Sequence, residues 1–318
     1  MNKRSGKSES NNLRILPHFK DKNMRTLHQS TKKCLLVFYL TIAVILPAVG
    51  QEEAQPYFTV GEMPDLLRIL PPPPDTTSAS FALDIVWYMW GKKQRMDTTR
   101  SAIAIADAEF SLNNLIRVFS EPFGITISSE ETPELYRLLR DFTVTCDYIS
   151  LKTKNYYMRI RPFMLFHEHT LTPEYEEIMA KNGSYPSGHT VFGWCAALIL
   201  SEINPEQTEA LMARGYMFGE SRVIVGAHWQ SDVNAGMLTA SILNAKLHTS
   251  PIFLDRMAKA KTEFVEKKYG TSNTSELIGV PTSQDNYIYN ISGHQLAKEP
   301  THGVYIQSGK KILYRNRQ

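Results

Sequence analysis

The chain has 318 residues, of which 42% are hydrophobic and 21% charged. That is length enough for one large domain or two small ones, and apolar content enough to exclude intrinsic disorder. The formal net charge of +3 misleads, because residues 1–50 hold nine Lys/Arg against two Asp/Glu and the rest holds 26 against 30; the body is mildly acidic, which excludes the clustered basic face that a nucleic-acid partner requires.

The apolar run Cys34 to Gly50 follows Lys32 and Lys33 and ends in the small residues Ala48, Val49 and Gly50. Residues 1–50 are therefore expected to be a signal peptide, cleaved after Gly50. The stretch ahead of the run is long for the basic part of such a leader, so Met24 is the expected true start. An uncleaved membrane anchor is the alternative, although the run is slightly short for a span. Of the three cysteines only Cys146 and Cys195 lie beyond the leader, too few for a disulfide framework. Two buried free thiols are expected.

Residues 51–76 form a proline-rich segment in which "LRILPPPPD" reads as extended chain rather than helix or central strand. From 77 to 268 the apolar periodicity is helical nearly throughout, with runs at about Ser78–Arg95, Thr98–Phe119, Glu206–Val225, His228–Leu247 and Ile252–Lys268. Leu135, Leu138, Leu139, Phe142, Cys146 and Ile149 recur at threes and fours, which predicts one long amphipathic helix ended by Pro162. The run Thr190–Ile203 is apolar on nearly all sides yet too short for a bilayer, so it is expected at the centre of a bundle. Residues 269–318 turn polar and then show short β-type runs around Ser-Gly turns. The expected fold is all-α, a multi-helix bundle with a short β-like C-terminal appendage. That appendage, with its "GVYI...GKK" hairpin, is similar to the sorting tails of many exported proteins of Bacteroidetes-type bacteria.

Three motifs carry chemistry. Lys154 and Arg161 are seven residues apart, which on one helix puts two cations on one face, two turns apart, able to grip an anion. In "GSYPSGHT" a helix starts at Ser187, Gly188 and His189, whose free amides and dipole make an anion site with His189 beside it. In "SRVIVGAHWQSD" His228 and Asp232 are i and i+4, so the carboxylate can fix the imidazole tautomer and leave the other nitrogen free to attack. Arg222 adds a fork suited to phosphoryl oxygens. Singly, these also fit a solvated basic face, an N-capped helix and a structural His–Asp pair.

Together, Lys-x6-Arg-Pro, Pro-Ser-Gly-His and Ser-Arg-x5-His-x3-Asp resemble the signature of the type 2 phosphatidic acid phosphatase (PAP2) and vanadium haloperoxidase superfamily. "LPPPP", "YMRIRPF", "KNGSYPSGHT", "EINPE", "RGY", "SRVIVGAHWQSDV" and "LHTSP" further resemble the bacterial class A non-specific acid phosphatases, over roughly Leu67 to Lys268. The loop Phe166–Glu177 departs from that pattern and is expected to alter the substrate entrance; His167 and His169 in it read as exposed.

The resemblance implies an exported, periplasmic or cell-surface enzyme that hydrolyses phosphate monoesters, binds vanadate and phosphate as inhibitors, and uses no metal or other cofactor. It assigns His228 as nucleophile, Asp232 as its orienter and His189 as general acid and base. Lys154, Arg161, Arg222 and the amides of Ser187 and Gly188 would bind phosphate. A homo-oligomer, as a dimer, and a phosphotransferase side activity are also expected. The alternatives are a vanadate-dependent haloperoxidase, a membrane lipid-phosphate phosphatase and a non-catalytic anion-binding module; the second needs several apolar spans, which the body lacks, and the third does not need both histidines and the aspartate.

Overall fold

Ser78, Asp97, Ser111, Ser187 and Ser250 each accept a backbone amide from the first turn of the helix that follows, so the polar residues punctuating the sequence are the helix starts. The computed structural model describes residues 53–270, 288–290, 295–298, 303–307 and 310–314. The expected leader and its Met24 start lie outside the described residues. The helices are α1 (Ala79–Gln94), α2 (Thr98–Ala106), α3 (Leu112–Phe123), α4 (Pro133–Cys146), α5 (Leu151–Tyr157), α6 (Pro162–Phe166), α7 (Glu176–Ala180), α8 (Gly188–Ile203), α9 (Thr208–Val225), α10 (Gln230–Leu247) and α11 (Pro251–Tyr269).

Helix α8 lies between α9 and α10 and also meets α3, α4 and α11. Its Val191, Phe192, Cys195, Ile199 and Leu200 are fully buried. Phe192 stacks on Phe110 at 4.4 Å and on Phe142 at 5.9 Å. Burying each such side chain contributes about 1.5–3 kcal/mol, so α8 is firmly anchored in the core and so is the N-terminus it presents. Cys146 and Cys195 are both buried and unbridged.

The all-α expectation holds, with a small C-terminal sheet of order β2-β1-β3-β4, where β1 is Ile288–Asn290, β2 Gln295–Leu296, β3 Gly303–Gln307 and β4 Lys310–Tyr314. The β3–β4 pair is antiparallel, Gly303 facing Tyr314, and is the hairpin read from "GVYI...GKK".

Four expectations are corrected. The long helix over residues 133–161 is in fact α4, a 3-10 turn (Asp147–Ser150) and α5, which ends where Met158 takes a left-handed φ of 41°. Pro162 opens α6 instead of closing a helix, because proline suits a first turn whose amide would be unpaired. The run Thr98–Phe119 is split between α2 and α3, since Asp107 turns inward to Arg214 and Ser221 and Ser111 caps a new start. Helix α10 begins only at Gln230, so His228 precedes it.

Candidate active site

Lys154 and Arg161 do not share a helix face; they meet because the chain reverses at Met158. What gathers them is one carbonyl. Gly183 O accepts Lys154 Nζ at 2.9 Å and Arg161 Nη2 at 3.4 Å. Gly183 must be glycine, since a Cβ there would stand 2.4 Å from the Lys154 carbonyl oxygen. Arg161 is further fixed by the carbonyls of Met179 (2.9 Å), Asn182 (3.1 Å) and Ala227 (3.0 Å).

Arg222 comes from the last turn of α9 and is wholly buried; among the described residues its Nε and Nη1 have no acceptor, and Nη2 meets only Met179 Sδ at 3.9 Å. Each buried unpaired donor costs about 1–3 kcal/mol, more when charged. Arg222 therefore has donors left to offer an acceptor that enters the cavity it lines.

The three cations thus meet neutral carbonyls and sulfur, and among the described residues no carboxylate bonds to them directly, although Asp232 and Asp147 attract Lys154, Asp232 attracts Arg161 and Asp107 attracts Arg222. Burial, then Arg161, draws Lys154 down to about 7; burial draws Arg161 to about 10, and burial with Arg161 draws Arg222 to about 9.

Helix α9 ends at Gly226 in the left-handed region, and the chain turns so that His228 enters the same space. His228 Nε2 lies 3.0 Å from Arg161 Nη1. His228 Nδ1 lies 3.2 Å from Ser184 Oγ and 3.4 Å from Asp232 Oδ2, while Ser184 Oγ donates to Asp232 Oδ2 at 2.5 Å. Asp232, in the first turn of α10, also accepts the Trp229 amide on Oδ2 at 2.9 Å and Arg159 Nη1 on Oδ1 at 2.5 Å. Burial first, then Arg161, Lys154 and Arg222, hold His228 well below its ordinary 6.5.

His189 sits in the first turn of α8, its Nε2 donating to Ala108 O at 3.0 Å and its ring edge-on to Phe110 at 5.2 Å. That leaves Nδ1 for a bound group. Burial, then Arg222, lowers His189 well below 6.5, against the raising effect of the Ala108 bond.

Lys154, Arg161, Arg222, His228 and His189 line a cavity of about 170 Å³, together with Phe110, Asp147, Ile178, Met179, Asn182 and Gly188. A larger groove of about 910 Å³ along Pro71–Pro74 and Trp87 contains none of the buried cations or histidines. Size does not locate the chemistry here.

Ser187 needs a correction. Its amide donates to the Asp232 carbonyl at 3.0 Å and its hydroxyl caps Thr190, so it ties α8 to α10 and its amide is not free for an anion. The Gly188 amide is the next along, and a Cβ there would point to within 3.8 Å of Lys154 Cε. His167 and His169 are exposed, as expected, and His169 pairs with Glu176 at 3.0 Å. The Phe166–Glu177 loop leads directly into α7, whose Ile178 and Met179 form one wall of the cavity.

Ser184, Arg159 and Gly183 escaped sequence reasoning. Ser184 and Gly183 stand inside "KNGSYPSGHT" and Arg159 inside "YMRIRPF", so the signal was proximity to the motifs, without a role.

Comparison with known proteins agrees with this architecture. The PAP2 superfamily pattern matches residues 142–249. The chain is 40% identical over 237 residues to a non-specific acid phosphatase of Salmonella typhimurium, covering 74% of this chain and 94% of that one. It is 43% identical over 205 residues to a non-specific acid phosphatase of Providencia stuartii (64% and 82%) and 33% identical over 228 residues to an acid phosphatase of Zymomonas mobilis (71% and 86%).

The chain belongs to the PAP2 superfamily, within it to the class A acid phosphatases. It is a phosphatase enzyme. Among the described residues no helix is long and apolar enough to cross a membrane.

Proposed function

We propose that the chain is an exported enzyme that hydrolyses phosphate monoesters of broad specificity through a phosphohistidine on His228, without a metal ion. The observation that carries this reading is the Nε2 face of His228, set among three buried cations to which, among the described residues, no carboxylate bonds directly.

Lys154, Arg161, Arg222 and the Gly188 amide take the non-bridging oxygens of the phosphoryl group, the task a metal performs elsewhere. The Nε2 lone pair of His228 attacks phosphorus in line as the bond to the leaving oxygen breaks. His189 gives its Nδ1 proton to that oxygen, then takes one from the water that attacks the phosphohistidine. Inorganic phosphate leaves, and neutral His228 is restored. Asp232 and Ser184 stabilise the positive charge that His228 carries in between.

The acidic optimum follows from opposite needs, since His189 must carry a proton and His228 must not. Both are depressed in the free site, so the working window lies below neutrality, and its two limbs belong to the coupled pair. Breadth of specificity follows from size. A cavity of about 170 Å³ is below the roughly 300 Å³ at which sites for larger ligands begin, so the leaving group extends past Phe110 and Ile178.

The test is hydrolysis of p-nitrophenyl phosphate with EDTA present, beside halide oxidation with vanadate and peroxide. Hydrolysis alone supports the reading; peroxidase turnover, or loss of hydrolysis on chelation, opposes it. Export and a dimeric state are tested by the N-terminus and the mass of the native protein: a start at Gln51 and twice the chain mass are expected.

A further inference from the structure

We propose that Arg159, held between Asp84 and Asp232, is a positioning residue that fixes the Asp232 carboxylate and limits the negative charge it presents to His228. Arg159 donates through Nη1 to Asp232 Oδ1 at 2.5 Å and to Ser231 Oγ at 2.8 Å, and through Nη2 to Asp84 Oδ2 at 2.7 Å. Its guanidinium lies 5.7 Å from the Trp229 ring centroid. Asp84, from α1, is held in turn by the Ser231 amide (2.8 Å) and hydroxyl (2.6 Å). Both ion pairs are almost wholly buried, where a charge partner acts strongly.

The two oxygens of Asp232 are divided. Oδ1 goes to Arg159, while Oδ2 takes Ser184, the Trp229 amide and the long contact to His228. An aspartate facing His228 alone would favour the imidazolium and so spend the nucleophile on a proton. Arg159 offsets that pull, and Asp84 moderates Arg159.

The other groups around His228 are Lys154 of α5, Arg161 at the start of α6, His189 of α8 and Arg222 of α9, with Ser184 on the Nδ1 side. Asp147 lies at the cavity wall, Tyr185 near Asp232 and Asp107 behind Arg222. None of these touches Asp232 Oδ1. Arg159 is the charge that does.

The inference rests on His228 being the nucleophile for its kinetic readout, so it is tested twice. The acidic limb of kcat/KM reports protonation of the free enzyme's base. Arg159→Gln should move that limb up by about one pH unit, Asp84→Asn should move it down, and Arg159→Lys should restore most of the wild-type profile. In parallel, the His228 imidazole is titrated by ¹⁵N NMR with saturating inorganic phosphate, its signal assigned by loss in His228→Gln.

Opposite shifts in both readouts are expected. Opposite shifts by NMR without movement of the limb would keep the role of Arg159 and overturn His228 as nucleophile. NMR titrations that stay in place, or move the same way in Arg159→Gln and Asp84→Asn, would overturn the inference and reduce Arg159 to a packing residue. Should Arg159→Gln fail to fold, the direction of the Asp84→Asn shift decides alone.

Discussion

The Nη1 of Arg161 stands 3.0 Å from Nε2 of His228. A guanidinium can only donate, so Nε2 offers its lone pair and the ring proton lies on Nδ1, facing Ser184 and Asp232. The tautomer is thereby deduced from the partners, and it is the one a nucleophile needs. In the proposed mechanism a bound phosphoryl group would compete for the same guanidinium and turn Arg161 from a guard of the lone pair into a clamp on the substrate.

Arg222→Lys should be costly although charge type is kept. The guanidinium reaches two oxygens and an ammonium cannot. A loss of about 2 to 4 kcal/mol of transition-state stabilisation is expected, read from kcat/KM, with a parallel weakening of vanadate inhibition. Near-normal turnover would make Arg222 a scaffold residue.

His189→Ala should discriminate between leaving groups. Alkyl phosphates need their oxygen protonated, while p-nitrophenolate leaves with less help. The ratio of the two rates should change by on the order of 10² or more. An equal loss on both substrates would assign His189 a structural role.

Inhibition by sulfate, which unlike phosphate keeps the same charge through neutrality, should weaken as pH rises past about 7. Lys154, drawn down to about 7 chiefly by burial, loses its charge there in the free enzyme, and the anion loses a partner. The break in a plot of log Ki against pH should vanish in Lys154→Met. A break that survives the substitution belongs to another group.

The two histidines tie stability to pH. Their folded values lie below the unfolded 6.5 because burial disfavours the charged form. Their contribution is therefore present above about 6.5 and is lost as pH falls through the folded values, when the unfolded chain binds protons the fold resists. Tm of the free enzyme should fall below that point. Phosphate at 100 times its Kd should add about 2.7 kcal/mol at each pH. A flat Tm from neutral to acid pH would contradict the burial of the neutral rings.

Much of the helical order was legible, since α1, α8 and α11 follow from apolar periodicity and a serine start, and α9 from its apolar periodicity. The residue types of the cavity were legible too, in three spaced motifs. Their geometry was not. Lys154 and Arg161 look like one helix face, yet the left-handed Met158 breaks that face, and periodicity is blind to a single reversed φ. The Ser187 amide looks free at a helix start, but the Asp232 carbonyl, 45 places along, takes it. Asp84 reaches Ser231 across 147 residues; only the packing of α1 on α10 brings them together, and no local pattern encodes that.

The central claim is a covalent bond between His228 and phosphorus. The most direct measurement digests His189→Ala, reacted with p-nitrophenyl phosphate and quenched in alkali to preserve phosphohistidine, and maps the adduct by mass spectrometry. The account predicts one phosphoryl group on His228, and neither adduct nor turnover in His228→Ala, with vanadate still bound. An adduct on another residue, or more than about a tenth of wild-type turnover in His228→Ala where on the order of 10³ should be lost, would contradict it.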